Sequence, residues 1–206
     1  MLIKTLPVGQ LETNCYIVTD EKTLKCAIID PGDESNMILD YVESNNLQVE
    51  AVFLTHGHFD HHMALGAVLE AVPVPTWINE RDVSPAGERD RHKLVDNGKL
   101  SFYADGDEIS IGGLTFSVIE TPGHSFGSVT LKCENALFTG DTLFRDSCGR
   151  TDLGGDMGVL LKSLRRLSSL NGDFEVYPGH AESTTLDRER RFNYYVKYAN
   201  DNLPAK

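Results

Sequence analysis

The octapeptide Thr55-His56-Gly57-His58-Phe59-Asp60-His61-His62 directly follows the apolar run Val52-Phe53-Leu54, and it constrains the fold more than any other segment. The imidazoles of His56, His58 and His61 and the carboxylate of Asp60 lie within six residues and cannot all face an apolar core. Neutral imidazole nitrogen and carboxylate oxygen suit a divalent transition metal. The end of a rigid strand holds such ligands to the few tenths of an ångström that coordination requires.

The same arrangement recurs along the chain. Thr121-Pro122-Gly123-His124 follows an apolar run at 114–120, Thr139-Gly140-Asp141 follows Ala136-Leu137-Phe138, and Pro178-Gly179-His180 follows Phe174-Glu175-Val176-Tyr177. Ile28-Ile29-Asp30-Pro31-Gly32 has the same form. Taken singly, each is an ordinary turn. Together they place ligand-type residues at strand ends throughout the chain, which implies one shared edge of a sheet structure.

Alternation and short apolar runs predict strands at 2–8, 14–19, 25–29, 49–54, 114–120, 127–133, 136–139 and 174–177. Met157, Leu160, Leu161, Leu164 and Leu167 predict an amphipathic helix that opens on an Asp156 cap and stops at Asn171-Gly172. Phe192, Tyr195, Val196 and Ala199 form one apolar stripe of a second helix, and shorter helices are expected at 35–44 and 62–72. No repeat or linker divides residues 1–206, so one domain is expected. Residues 79–107 are the least patterned, and the mixed charges around His92 predict a solvated helix or loop.

THGHFDH, TPGH, GD and PGH in that order resemble the metallo-β-lactamase superfamily, and FTGDTLF followed by GRTD is similar to its glyoxalase II-like branch, the short bacterial hydroxyacylglutathione hydrolases. The resemblance implies an α/β fold, a four-layer αββα sandwich of two mixed β-sheets flanked by helices. It also implies two divalent metal ions, with zinc expected and iron or manganese compatible. His56, His58 and His124 would hold one ion, Asp60, His61 and His180 the other, and Asp141 would bridge both. Asp30 and Thr55 match positions that support the ligand loop, while His62 is not a ligand in the family pattern. The implied reaction is hydrolysis of a thioester such as S-D-lactoylglutathione by a metal-bridging hydroxide, with Asp60 orienting it or taking its proton. Arg150 matches a basic residue near the glutathione moiety, and a salt bridge to Asp152 or Asp146 is its other reading. Asp152 and Glu182 stand where larger enzymes offer tyrosines, and those enzymes continue into a helical region beyond the position of Lys206.

Composition removes several rival classes. With 31 Asp+Glu against 19 Lys+Arg and a net charge of -12, the chain lacks the clustered cations of a nucleic-acid surface. Nothing at the start reads as a secretory signal and no apolar run would span a bilayer, so a cytoplasmic protein acting on a small molecule is expected. Cys15, Cys26, Cys133 and Cys148 are too scattered for a disulfide scaffold and are expected to be reduced, with Cys148 a passive thiol. Within the superfamily, the first alternative is a mononuclear iron persulfide dioxygenase using His56, His124 and Asp141. A lactone or other small-ester hydrolase is the next. Class B β-lactamases normally place a cysteine where Asp141 stands, so β-lactamase activity is not expected, and a non-catalytic relic would have lost ligands that are all present here.

Overall fold

The computed structural model describes residues 1–83 and 94–203; the charge run containing His92 lies outside them. The first sheet has strand order β1 (Leu2–Val8), β2 (Thr13–Thr19), β3 (Lys25–Ile29), β4 (Gln48–Phe53), β5 (Thr76–Ile78) and β6 (Leu100–Phe102). Its first three strands pair antiparallel, and β3 to β6 run parallel. Helices α1 (Ser35–Ser44) and α2 (Leu65–Ala71) belong to the crossovers of this half.

The second sheet adds strands β7 (Glu108–Ile111), β8 (Leu114–Glu120), β9 (Val129–Cys133) and β10 (Ala136–Gly140). A small hairpin of β11 (Leu143–Phe144) and β12 (Ser147–Cys148) leads to helix α3 (Met157–Ser168). Strands β13 (Glu175–Pro178) and β14 (Thr184–Thr185) follow, and helices α4 (Leu186–Phe192) and α5 (Tyr194–Asn202) end the described chain. The sheet order is β14-β13-β10-β9-β8-β7, with only the β10/β13 pair parallel.

Successive side chains on a strand point to opposite faces, so a strand covered on both faces must be apolar at every position. Ile17, Ile28 and Val52 pack on the α1/α2 side of the first sheet, and their neighbours Val18, Ile29 and Phe53 pack between the sheets against Phe116, Leu131 and Phe138. Leu137, Ile119 and Val176 face away from the sheet interface and meet Leu160, Leu164, Leu167 and Val196 of α3 and α5. Three apolar layers between four structural layers make the αββα sandwich, with both sheets mixed and helices outside.

Topology decides where the turns fall. Strands β3, β4 and β5 are parallel, so their C-terminal ends share one edge of the first sheet. In the second sheet β8 is antiparallel to β9 and β9 to β10, which makes β8, β10 and β13 co-directional. The Asp30, His56, His124, Asp141 and His180 turns therefore lie at strand ends of like direction. Hydrogen bonds from Val129 N–H to Thr55 O (2.9 Å) and from Asn14 N–H to Gly179 O (2.7 Å) join the two edges.

The eight expected strands and the helix at Asp156 are present, and the Asp156 carboxylate caps α3 by accepting from Val159 N–H at 2.9 Å. Two expectations are corrected. The single C-terminal helix is two, because the side chain of Asn193 accepts from Tyr195 and Val196 N–H and starts a new helix there. Phe192, expected on the buried stripe, is 66% exposed as a result. Residues 79–107 are not wholly solvated: Asn79, Asp82 and Tyr103 are buried and β6 pairs with β5. Among the described residues no helix is long and apolar enough to cross a membrane. All four cysteines are buried and unpaired, and burial pushes the Cys148 thiol up to about 11, which suits a passive role.

Candidate metal centre

The expected ligand residues converge where the two sheet edges meet. The ligand atoms of His56, His58 and His124 form one group within 4.8 Å of one another, and those of Asp60, His61 and His180 form another. A third such group, His56, His61 and Asp141, lies between them. Each draws on both sheets, since 56–61 follow β4 whereas His124, Asp141 and His180 follow β8, β10 and β13.

The outer nitrogens of four of these imidazoles face acceptors. His124 Nδ1 faces Arg150 O at 2.7 Å, His180 Nδ1 faces Leu11 O at 3.0 Å, and His61 Nδ1 faces Asp30 Oδ2 at 2.9 Å. The Thr55 hydroxyl donates to Asp30 Oδ2 at 2.6 Å, which leaves its oxygen to accept from His56 Nδ1 at 3.1 Å. Each outer nitrogen thus meets an acceptor and carries the proton, so in the neutral ring each Nε2 presents a lone pair inward. Those lone pairs crowd together: His124 Nε2 is 3.2 Å from His56 Nε2 and 2.8 Å from His58 Nδ1.

Asp141 stands between the groups. Its Oδ1 is 3.5 Å from His61 Nε2, and its Oδ2 is 3.5 Å from His124 Nε2 and 3.6 Å from His180 Nε2. His61 Nε2 and Asp141 Oδ1 are buried with no hydrogen-bond partner, a costly state for a polar atom unless a cation takes the lone pair. Ligands about 2.1 Å from one ion at tetrahedral angles stand about 3.4 Å apart, close to these separations. The donor set, its spacing and its orphaned atoms fit divalent metal ions.

Close backbone approach is part of the construction. A Cβ on Gly179 would lie 2.2 Å from Asp141 Oδ1 and 2.8 Å from His61 Cε1, so only glycine lets the His180 turn pass this near. Asp30, in the left-handed region at φ 51°, accepts from Thr55 N–H at 2.8 Å as well as from Thr55 Oγ1 and His61. Asp30 and Thr55 are thus joined by two hydrogen bonds at the base of the His56 loop. His62 is buried with Nε2 directed to Gly57 O at 3.2 Å, away from the ligand groups.

Sequence reasoning missed three supports. Thr13 donates to Asp60 Oδ2 at 3.2 Å, the Asn14 side-chain amide donates to Pro178 O and Ala181 O across the His180 turn, and Asp82 lies buried beside the His56 loop. Short polar residues at a strand start give no local sign of such roles; only the topology brings them to this edge. Arg150 pairs with Asp152 through two hydrogen bonds of 2.6 and 2.5 Å, both side chains more than half exposed, and Asp146 pairs with Arg188 instead. Glu182 is paired with Arg145, so both acidic residues that depart from the tyrosine pattern carry a cationic partner.

Burial lowers His58 to about 4, and the neighbouring imidazoles add to that. Burial also works against the charged form of His61, but the carboxylates of Asp30, Asp141 and Asp60 outweigh it and raise the group to about 9. In the metal-free protein His61 is then protonated at neutral pH, and a metal taking its Nε2 must displace that proton. Zinc binding is expected to release protons at pH 7.5 and to tighten as pH rises toward 9, lost from the other side as pH falls. Calorimetric titration in buffers of different ionisation enthalpy checks this; a buffer-independent heat would contradict it.

A model of the metallo-beta-lactamase superfamily matches residues 8–180. The chain is 32% identical to hydroxyacylglutathione hydrolase GloC of Haemophilus influenzae over 95% of this chain and 98% of that protein. Among solved structures it is similar to the BLEG-1 B3 metallo-beta-lactamase, with 31% identity, a TM-score of 0.85 and coverage of 95% of this chain and 99% of the other. It is also similar to TTHA1623 in a di-iron-bound form, with 33% identity, a TM-score of 0.80 and coverage of 93% and 99%.

Proposed function

The chain belongs to the metallo-β-lactamase superfamily, and from that premise we propose that it is a dinuclear metal-dependent hydrolase of small thioesters. The observation that carries the reading is the pair of three-residue ligand groups with the two oxygens of Asp141 facing both. His56, His58 and His124 would hold one ion, Asp60, His61 and His180 the other, and Asp141 would join them. Two divalent ions supply Lewis-acid polarisation of a carbonyl and a hydroxide nucleophile near neutral pH. Zinc is the proposed metal; histidine and carboxylate donors also accept iron, and the similarity to a di-iron protein keeps iron in the test.

The chain's own groups then divide the remaining work. Burial disfavours a charge on Asp60, yet His180 and His61 beside it hold its carboxyl below the usual carboxylate range. The Thr13 hydroxyl donates to Asp60 Oδ2 at 3.2 Å and fixes its direction. That keeps it ionised and fixed as a hydrogen-bond acceptor, able to orient a water. A thiol leaves as thiolate with a pKa of roughly 8.5, so no strong acid is needed on the leaving side. Arg150 is the proposed substrate contact. Its pairing with Asp152 is open to solvent on both sides and screened by water, so a substrate carboxylate can displace it at small cost.

The similarity to GloC supports S-D-lactoylglutathione as the first substrate to assay. The test is metal analysis of the purified protein joined to assays on S-D-lactoylglutathione, uncharged thioesters, a β-lactam and glutathione persulfide. Two metals per chain with thioester turnover is the expected outcome. Oxygen uptake on the persulfide with one iron per chain would replace the hydrolase by a dioxygenase, and turnover of the β-lactam alone would move the substrate class.

A further inference from the structure

Asp82 is the strongest unassigned group near the centre. It ends the 3-10 turn Glu80–Asp82 that follows β5, and it is a carboxylate only 1% exposed. Its Oδ2 accepts from Gly57 N–H at 3.0 Å and from Ser125 Oγ at 2.5 Å, and its Oδ1 accepts from Gly127 N–H at 2.7 Å. Ser128 Oγ meets the Ser125 hydroxyl and accepts from Ser125 N–H at 3.1 Å. Gly57 sits between His56 and His58, and Ser125 follows His124. One carboxylate from a third chain segment thus ties together the two loops that carry these three imidazoles.

The approach is close. A Cβ on Gly127 would fall 2.7 Å from Asp82 Cγ, so the turn after His124 is seated directly on the carboxylate. The other ligand group is held by different residues: His61 by Asp30, Asp60 by Thr13, and His180 by the carbonyl of Leu11. Asp82 touches the loops of the first half alone, whereas Asp30 holds His61 directly and reaches His56 only through the Thr55 hydroxyl.

We propose that Asp82 is a positioning residue that sets the metal affinity of the His56, His58 and His124 half without setting that of the Asp60, His61 and His180 half. A charged acceptor for N–H and O–H donors holds a loop more firmly than a neutral one. Loss of a group that orients ligands typically costs ten- to a hundredfold in metal affinity. The inference rests on the two-metal reading and is independent of the substrate.

Asp82→Asn tests it, because the amide keeps the shape but can no longer accept at both oxygens. Metal-free wild type, Asp82→Asn and His58→Ala are titrated with cobalt(II), followed by visible absorption, with far-ultraviolet circular dichroism as the control for folding. Asp82→Asn should weaken by about ten- to a hundredfold the same equivalent that His58→Ala removes, and leave the other within about threefold. Equal weakening of both equivalents, weakening of the other one, or no change overturns the proposal. Should Asp82→Asn fail to fold, Ser125→Ala decides, since it removes one donor and leaves the carboxylate in place. It should produce a smaller loss at the same equivalent, and an even loss or none overturns the proposal.

Discussion

An Asp141→Asn variant is expected to lose the proposed thioester hydrolysis by more than the roughly hundredfold that removal of an outer ligand-orienting group costs, and to purify with less metal than the wild type. The reason is the position of the carboxylate, whose two oxygens face His61 on one side and His124 and His180 on the other. Asparagine keeps one oxygen and turns the other into a donor aimed at imidazole lone pairs, which suits the metal-free site and opposes the loaded one. Formal charge runs the same way. Two divalent ions with Asp60, Asp141 and one hydroxide sum to about +1, and the variant raises this by one unit in a buried place. Metal analysis beside kcat/KM on a thioester is the measurement; full metal content with undiminished turnover would remove Asp141 from the centre.

Asp30→Ala should be the most damaging change at a residue that is not itself a proposed ligand. Three donors lose their acceptor at once: Thr55 N–H, Thr55 Oγ–H and His61 Nδ1–H. At about 1–3 kcal/mol for each buried donor left unsatisfied, the loss is at least about 3 kcal/mol of stability. Alanine also inherits a backbone at φ 51°, a conformation that aspartate tolerates better than alanine, which adds to the loss. His61, no longer held as one tautomer, should bind metal poorly as well. Thermal unfolding of the metal-free protein with and without the substitution isolates the stability part from the metal part. An unfolding midpoint within a degree of wild type would show that the hydrogen bonds seen around Asp30 contribute little.

Without Asp30, the raised pKa of His61 should fall. Below the unfolded value of about 6.5 both states bind the proton, and the wild-type pair contributes its full stability there; that contribution is lost as pH rises through about 9. The variant should show a smaller decline, because Asp141 and Asp60 still face His61.

The parts of the structure readable from sequence were those with a local signature. Ile28-Ile29, Val52-Phe53 and Leu137-Phe138 each serve two apolar layers, and an unbroken apolar run announces that without any tertiary information. The ligand turns were readable because histidine and aspartate beside glycine after such runs are costly anywhere but at a site. The break at Asn193 was hidden because the apolar stripe continues through it in helical register, while the cap depends on one amide turning back on its own backbone. Asp82 was hidden for a different reason. A lone aspartate in a mixed-charge stretch looks solvated until β5 carries it under the histidine loop, and that placement is a property of sheet order. Short β6 and β14, with three and two residues, carry too little pattern to be seen at all.

Every ligand group takes members from both sheets, so the centre exists only where the sandwich is already closed. The His124, Asp141 and His180 turns must meet the loop at 56–61 before any of these groups is complete. An ion that recognises only the native chain adds stability by mass action, about 2.7 kcal/mol at a concentration a hundred times its dissociation constant. Ions held as proposed would then be a staple across the sandwich as well as a reagent. Chelation should loosen the seam between the sheets, and the metal content of a preparation reports how much of it has folded correctly.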